Sequence, residues 1–131
     1  MKMRQRRDPV SNLRVKTEHE VGDDGRIEGR VQAFHRGRAV GDLTYHVNES
    51  YFPERTLYPD SLTVDEDHRG KGVATALHGA ALKEHPDLPM THTVDGMSHD
   101  AQRMLPRLQA AHPGRHHVFD EATRTYREQF R

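Results

Sequence analysis

Apolar and polar residues alternate as soon as the chain becomes patterned: Leu13, Val15 and Thr17 interleave with Arg14, Lys16 and Glu18. That period of two is the mark of a half-exposed strand. Gly22-Asp23-Asp24-Gly25 reads as a turn, since Asp-Gly supplies the positive φ of a tight hairpin. A second strand is predicted over Arg26–His35, followed by a turn at Arg36-Gly37. A third covers Arg38–Val47, with Val40, Leu43, Tyr45 and Val47 as its apolar content. The first half thus predicts an antiparallel meander. Residues 48–60 are expected to be irregular, because Pro53 and Pro59 break long elements. Ser61–Val64 predicts a short buried strand.

The period then changes. Val73, Ala76, Leu77, Ala80 and Ala81 fall on one face of a helix over Gly72–His85, which Pro86 and Pro89 end. Met90–Val94 reads as a strand. Ser98–Ala111 reads as a second helix, with Ala101, Met104, Leu105 and Leu108 in a stripe and Pro106 as its awkward member. Residues 116–119 suit another strand. Residues 121–130 fit a helix through Ala122, Tyr126 and Phe130, or an alternating strand from Thr123, with the strand preferred. Strands first, then strand–helix–strand–helix, is the order of an α+β domain with a mixed sheet.

A length of 131 residues suits one domain, expected over 13–131 behind a basic flexible tail at 1–12. Zero net charge argues against wholesale disorder, which needs low hydrophobicity together with high net charge. No apolar run approaches the ~20 residues of a membrane span, and the basic start has no apolar segment of a secretory signal behind it. A cytoplasmic setting is therefore expected. The charge is uneven: +5 over residues 1–16, −7 over 17–67 and +2 over 68–131. The basic start lacks interleaved aromatics, so it reads as a solvated arm rather than a nucleic-acid contact. Cysteine is absent, which removes disulfides, thiolate nucleophiles and thiolate metal sites from the possible chemistry.

The most informative stretch is Leu62–Leu77: a strand, an acidic turn, then Arg69-Gly70-Lys71-Gly72-Val73-Ala74 opening a helix. Glycines at 70 and 72 permit a tight turn with uncovered N–H groups. With the helix N-terminus these form an anion site suited to a pyrophosphate, with Arg69 and Lys71 at its rim. The spacing of neither a P-loop nor a dinucleotide-binding glycine motif is met.

This segment resembles the GNAT superfamily of acyl-CoA-dependent N-acyltransferases, whose signature is [QR]-x-x-G-x-[GA]. Arg69, Gly72 and Ala74 satisfy it, and Val64-Asp65-Glu66-Asp67-His68 aligns with the turn before it. The resemblance spans about residues 26–112. It implies a GNAT-like fold with a splayed central sheet and acetyl-CoA as acyl donor. The backbone amides of residues 69–74 (Arg69, Gly70, Lys71, Gly72, Val73, Ala74) would hold the pyrophosphate. Leu62, Thr63 and Val64 would run beside the pantetheine arm, and the Val64 N–H would polarise the thioester carbonyl. The implied reaction is transfer of acetyl to a primary amine by direct attack. The implied alternative is a non-catalytic fold that holds acyl-CoA or a partner protein.

Two departures stand out. Many relatives place two helices between their first two strands, where Gly22–Gly25 leaves room only for a turn. Many also carry a Tyr as general acid on the second helix, and Gln102–Leu105 has none. Ser98 suits either a pantetheine contact or a helix N-cap. Asp60 and Glu54 are the carboxylates best placed to take the amine's proton, and Tyr51, Tyr58 and Tyr126 are candidates to protonate the leaving thiolate.

Eleven histidines require a reading of their own. His78, His85, His92 and His99 recur every seven residues, but Pro86 and Pro89 interrupt any shared helix, so the spacing reads as coincidence and no metal site is expected. His68 sits beside the glycine loop, where a solvated side chain could touch the cofactor, and His92 could face the splay and serve as a base. The open edges of a short sheet leave a homodimer possible.

Overall fold

The computed structural model describes residues 12–48, 55–93, 98–120 and 125–127. Seven strands form one sheet in sequence order: β1 (Leu13–Val21), β2 (Ile27–His35), β3 (Arg38–Asn48), β4 (Thr56–Val64), β5 (Met90–Thr93), β6 (His116–Asp120) and β7 (Thr125–Arg127). Strands β1 to β4 are antiparallel, β4–β5 and β5–β6 are parallel, and β6–β7 is antiparallel. Helix α1 (Val73–Glu84) links β4 to β5, and α2 (His99–Ala111) links β5 to β6. The expected meander, the two helices and the strand reading of the C-terminal stretch all appear. The residue 1–11 part of the basic tail lies outside the described residues.

Between β1 and β2 there is a hairpin turn and no helix: the Gly25 N–H donates to the Gly22 carbonyl at 2.9 Å and the Gly22 N–H to Arg26 at 2.8 Å. Alternation along β2 and β3 sends Val31, Ala33, Val40, Leu43, Tyr45 and Val47 to one face, where α1 covers them with Val73, Leu77, Ala81 and Leu82. Leu57 and Met90 close this core at the sheet's centre. A smaller cluster joins Leu105 and Leu108 of α2 to Val118 of β6, with Met104 against it. The ring of His116 approaches both His78 of α1 and His112 at the end of α2, so both helices lie on one face of the sheet. The Arg115 guanidinium donates to the carbonyls of Leu82, His85 and Leu88, at 3.3, 3.1 and 2.7 Å, and so satisfies the C-terminal end of α1.

One expectation is corrected. Residues 56–60 are not irregular: β4 starts at Thr56 and runs through Pro59. A bulge makes this possible. Tyr45 pairs with Pro59 and Thr44 with Ser61, which leaves Asp60 as the extra residue. A proline has no N–H to give a ladder, and beside a bulge the loss is tolerated.

Candidate functional site

Strands β4 and β5 are joined at one register pair, Leu57 with Met90, reinforced by the Leu57 N–H donating to the Pro89 carbonyl at 2.9 Å. Beyond it they diverge. The expected splay is therefore present, and the Tyr58 hydroxyl spans it to Thr93 Oγ1 at 2.9 Å.

Backbone register decides what β4 presents to this gap. The Asp65 N–H donates to the Val40 carbonyl at 2.8 Å, flanking the Gly41–Val64 pair. That makes Gly41–Val64 a non-hydrogen-bonded pair, and Leu43–Leu62, two residues along, another. The N–H and C=O groups of Val64 and Leu62 consequently turn away from β3, towards the gap. The Val64 carbonyl is taken by Arg69 Nε at 3.1 Å; its N–H is left facing the cleft.

A 3₁₀ turn at Glu66–His68 then carries the chain to α1. Gly70 and Gly72 have φ of +74° and +85°, in the left-handed region. Gly72 is the N-cap of α1 and brings no side chain to cap it, so the first-turn N–H groups stay available to an outside acceptor. Helix α1 sits close because Gly41 beneath it lacks a Cβ: an added one would lie 2.8 Å from Val73 and 3.1 Å from Leu77.

These elements enclose a cleft of about 960 Å³, large enough for an extended cofactor arm. Its wall includes Asp60, Leu62, Thr63, Val64, Arg69, Gly70, Gly72, Val73, Ala74 and Ser98, so most of the residues singled out in the sequence come together. Lys71 is on the same loop but not in the wall. Glu54 and Tyr51 lie outside the described residues. Ser98 is the N-cap of α2, its Oγ accepting from the Ala101 N–H at 3.1 Å, and it also lines the cleft.

The wall also holds residues the sequence did not single out. Arg103 and Arg107, one turn apart on α2, bring positive charge to the cleft. Basic residues at i and i+4 near the polar side of an amphipathic helix were the available signal. Thr75, Thr93 and His78 line it as well.

Two histidines weighed in the sequence, His68 and His92, also line the cleft, each with partners the sequence did not show. His68 is half-buried rather than solvated: its Nδ1 is 2.9 Å from Asp65 and its Nε2 3.1 Å from His35 Nδ1, while Arg38 pairs with Asp65 at 3.0 Å. This network ties the turn before the glycine loop to the β2–β3 hairpin. His92 is buried, with Nε2 bonded to His116 Nδ1 at 2.9 Å. It stacks on His116 and lies near His78, whose Nδ1–H donates to the Ala74 carbonyl at 2.7 Å. Desolvation in this core pushes His78 down to about 4, His116 to about 3, and His92 well below the ordinary histidine value. A buried, neutral His92 is a poor proton acceptor. His78 and His92, two members of the seven-residue series, do meet, since helix and strand bring both rings into one cluster. Among the described residues no group of three or more side chains is arranged to hold a metal ion.

Asp60 lines the cleft, and His46 on β3 meets it: His46 Nδ1 lies 2.8 and 2.9 Å from the two carboxylate oxygens. His46 also packs against the Tyr58 ring, with centroids 5.3 Å apart.

A model of the acetyltransferase (GNAT) family matches residues 4–109. Among solved structures, AAC(6')-Iy in complex with the bisubstrate analog CoA-S-monomethyl-acetylneamine has a TM-score of 0.52 at 16% identity, over 65% of this chain and 60% of that one. The ribosomal-protein-alanine N-acetyltransferase of Brucella melitensis biovar Abortus 2308 is 28% identical over 46% of this chain and 43% of its own, with a TM-score of 0.40. An acetyltransferase of Trypanosoma brucei gives 0.47 at 16% identity, over 65% of this chain and 61% of that one. The chain thus spans less than two thirds of the length of each of these relatives. A search of curated proteins finds no match.

Proposed function

The chain belongs to the GNAT acetyltransferase family, and on that premise we propose that it is an N-acetyltransferase, moving acetyl from acetyl-CoA to a primary amine by direct attack. The observation that carries the reading is the uncapped N-terminus of α1, behind two left-handed glycines, opening onto the gap between β4 and β5.

Each part of the donor has a matching feature. The amides of residues 69–74 and the helix dipole suit the pyrophosphate. Arg103 and Arg107 add charge for the remaining phosphate. Leu62, Thr63 and Val64 run where the pantetheine arm would lie, with Ser98 opposite. The Val64 N–H, turned into the cleft, is a donor for the oxygen that gains charge as the thioester carbonyl is attacked. No cysteine is present to carry an acyl-enzyme, which agrees with direct transfer. A cytoplasmic setting belongs to the same reading, since acetyl-CoA is a cytoplasmic metabolite; no described helix is long and apolar enough to cross a membrane.

Stabilisation on titration with acetyl-CoA tests the donor, because a ligand that binds only the native state raises apparent stability. Thiol release with a panel of amines (neamine, an alanyl peptide, lysine, spermidine) tests the transfer. Binding without release by any amine would favour the non-catalytic alternative, which the lack of Tyr in residues 102–105 motivates. Gly72→Glu adds charge and a Cβ at a left-handed position, and is expected to weaken acetyl-CoA binding by about a hundredfold or more. Unchanged affinity would show that the glycine loop is not the phosphate site.

A further inference from the structure

We infer that His46, oriented by Asp60, is the base that deprotonates the acceptor amine, on the sheet face opposite the helices; this rests on the acetyltransferase reading above. Side chains alternate between the two faces along β3 and β4. Tyr45, Val47 and Leu57 enter the core beneath α1, so His46 and Tyr58 point to the other face. His92 joins the buried cluster with His78, so Thr93, next to it on β5, points the same way as Tyr58. No described helix covers that face.

Four groups thus form a line on that face beside the joined end of the gap, and three of them, Tyr58, Asp60 and Thr93, line the cleft. Asp60 accepts from His46, the His46 ring packs on Tyr58, and the Tyr58 hydroxyl meets Thr93 across the divergence of β4 and β5. The bulge at Asp60 is what aims the carboxylate at His46, since β3 offers His46 directly to Tyr58. The His46 side chain is 14% exposed and that of Asp60 42%, so the imidazole is sheltered while its carboxylate still reaches water. The phosphate end of the cleft belongs to the helix side. A donor threaded from there through the gap presents its carbonyl to an amine arriving from the open face, beside His46.

The chemistry balances without a further reactant. With Nδ1–H donated to Asp60, Nε2 carries the lone pair. It takes one proton from the ammonium form of the acceptor. The freed nitrogen lone pair forms the C–N bond as the C–S bond breaks, and the sulfur leaves with the electron pair. The nitrogen's surplus proton goes to that sulfur, and the proton on His46 passes to solvent. His46 is the catalytic residue and Asp60 the positioning residue, which holds the ring in one tautomer.

The test compares nucleophiles that need a base with one that does not. Hydroxylamine is already unprotonated at neutral pH, whereas the panel amines are ammonium ions. His46→Gln is expected to lower turnover of the fastest panel amine by about a hundredfold or more, and to leave hydroxylamine near the wild-type rate. Asp60→Asn is expected to shift the two nucleophiles in the same selective way, by a smaller factor. Acetyl-CoA affinity, measured in parallel, should match wild type in both variants. Equal losses with both nucleophiles at retained acetyl-CoA affinity, or no loss with either, would overturn the dyad and leave the transferase reading standing. A wild-type protein that binds acetyl-CoA and transfers to no nucleophile would overturn the transferase reading, and the dyad's role with it.

Discussion

The two faces of the sheet use the same residue type in opposite ways. On the helix-covered face His78, His92 and His116 are buried against one another, and burial disfavours their charged forms. On the open face His46 has an aspartate on Nδ1 and water within reach. Desolvation makes a histidine a packing element; a carboxylate partner at a wet mouth makes one available for proton transfer. The number of histidines in the chain therefore says little about chemistry until each is assigned a face.

Acid is expected to expose that difference most strongly. In the unfolded chain the three core histidines bind protons near pH 6.5, whereas in the native state His78 does so only near 4 and His116 near 3. Between those values the unfolded state holds more protons, so stability is full above about pH 6.5 and falls as pH drops towards 4 and then 3. Each histidine contributes a slope of up to about 1.4 kcal/mol per pH unit. Urea denaturation at pH 7, 6 and 5 measures it; a midpoint independent of pH would refute the buried cluster.

Next in size is the covered face's apolar packing. Leu77, fully buried between α1 and β3, should cost about 2–5 kcal/mol on Leu77→Ala in the same denaturation assay. A smaller effect is expected at Tyr45. Its hydroxyl meets His85 Nε2 at 2.8 Å and burial pushes it up to about 12, so Tyr45→Phe should lose about 1 kcal/mol and remove that late-titrating group from an ultraviolet pH scan. The smallest is on the open face. Thr44→Ala breaks the 2.6 Å bond to Ser61 between half-exposed strands and should cost less than about 1 kcal/mol. A loss there as large as at Leu77 would mean that the open face is packed against something after all.

Two of the corrections share a cause. Pro59 reads locally as a breaker, yet β4 runs through it because β3 supplies a long partner and the bulge at Asp60 absorbs the missing donor. His68 reads as solvated, yet it is held by His35, 33 positions away. In both cases one partner is distant in sequence, and no window of neighbouring residues contains it.

What the chain determined by itself is whatever depends on a residue and its near neighbours. Asp24-Gly25 makes the hairpin turn, the 3.6-residue stripe makes α1, and Gly70 and Gly72 supply the left-handed backbone that leaves a helix N-terminus without a side-chain cap. Tertiary structure alone decided that β4 and β5 part after Leu57, that the Val64 N–H faces the gap, and that Arg103 and Arg107 line it. It also brought Asp60 to His46, across strands whose register a single bulged residue resets. Turns and caps are satisfied within a few residues, whereas a ladder's register and a side chain's partner are set by which strand lies alongside.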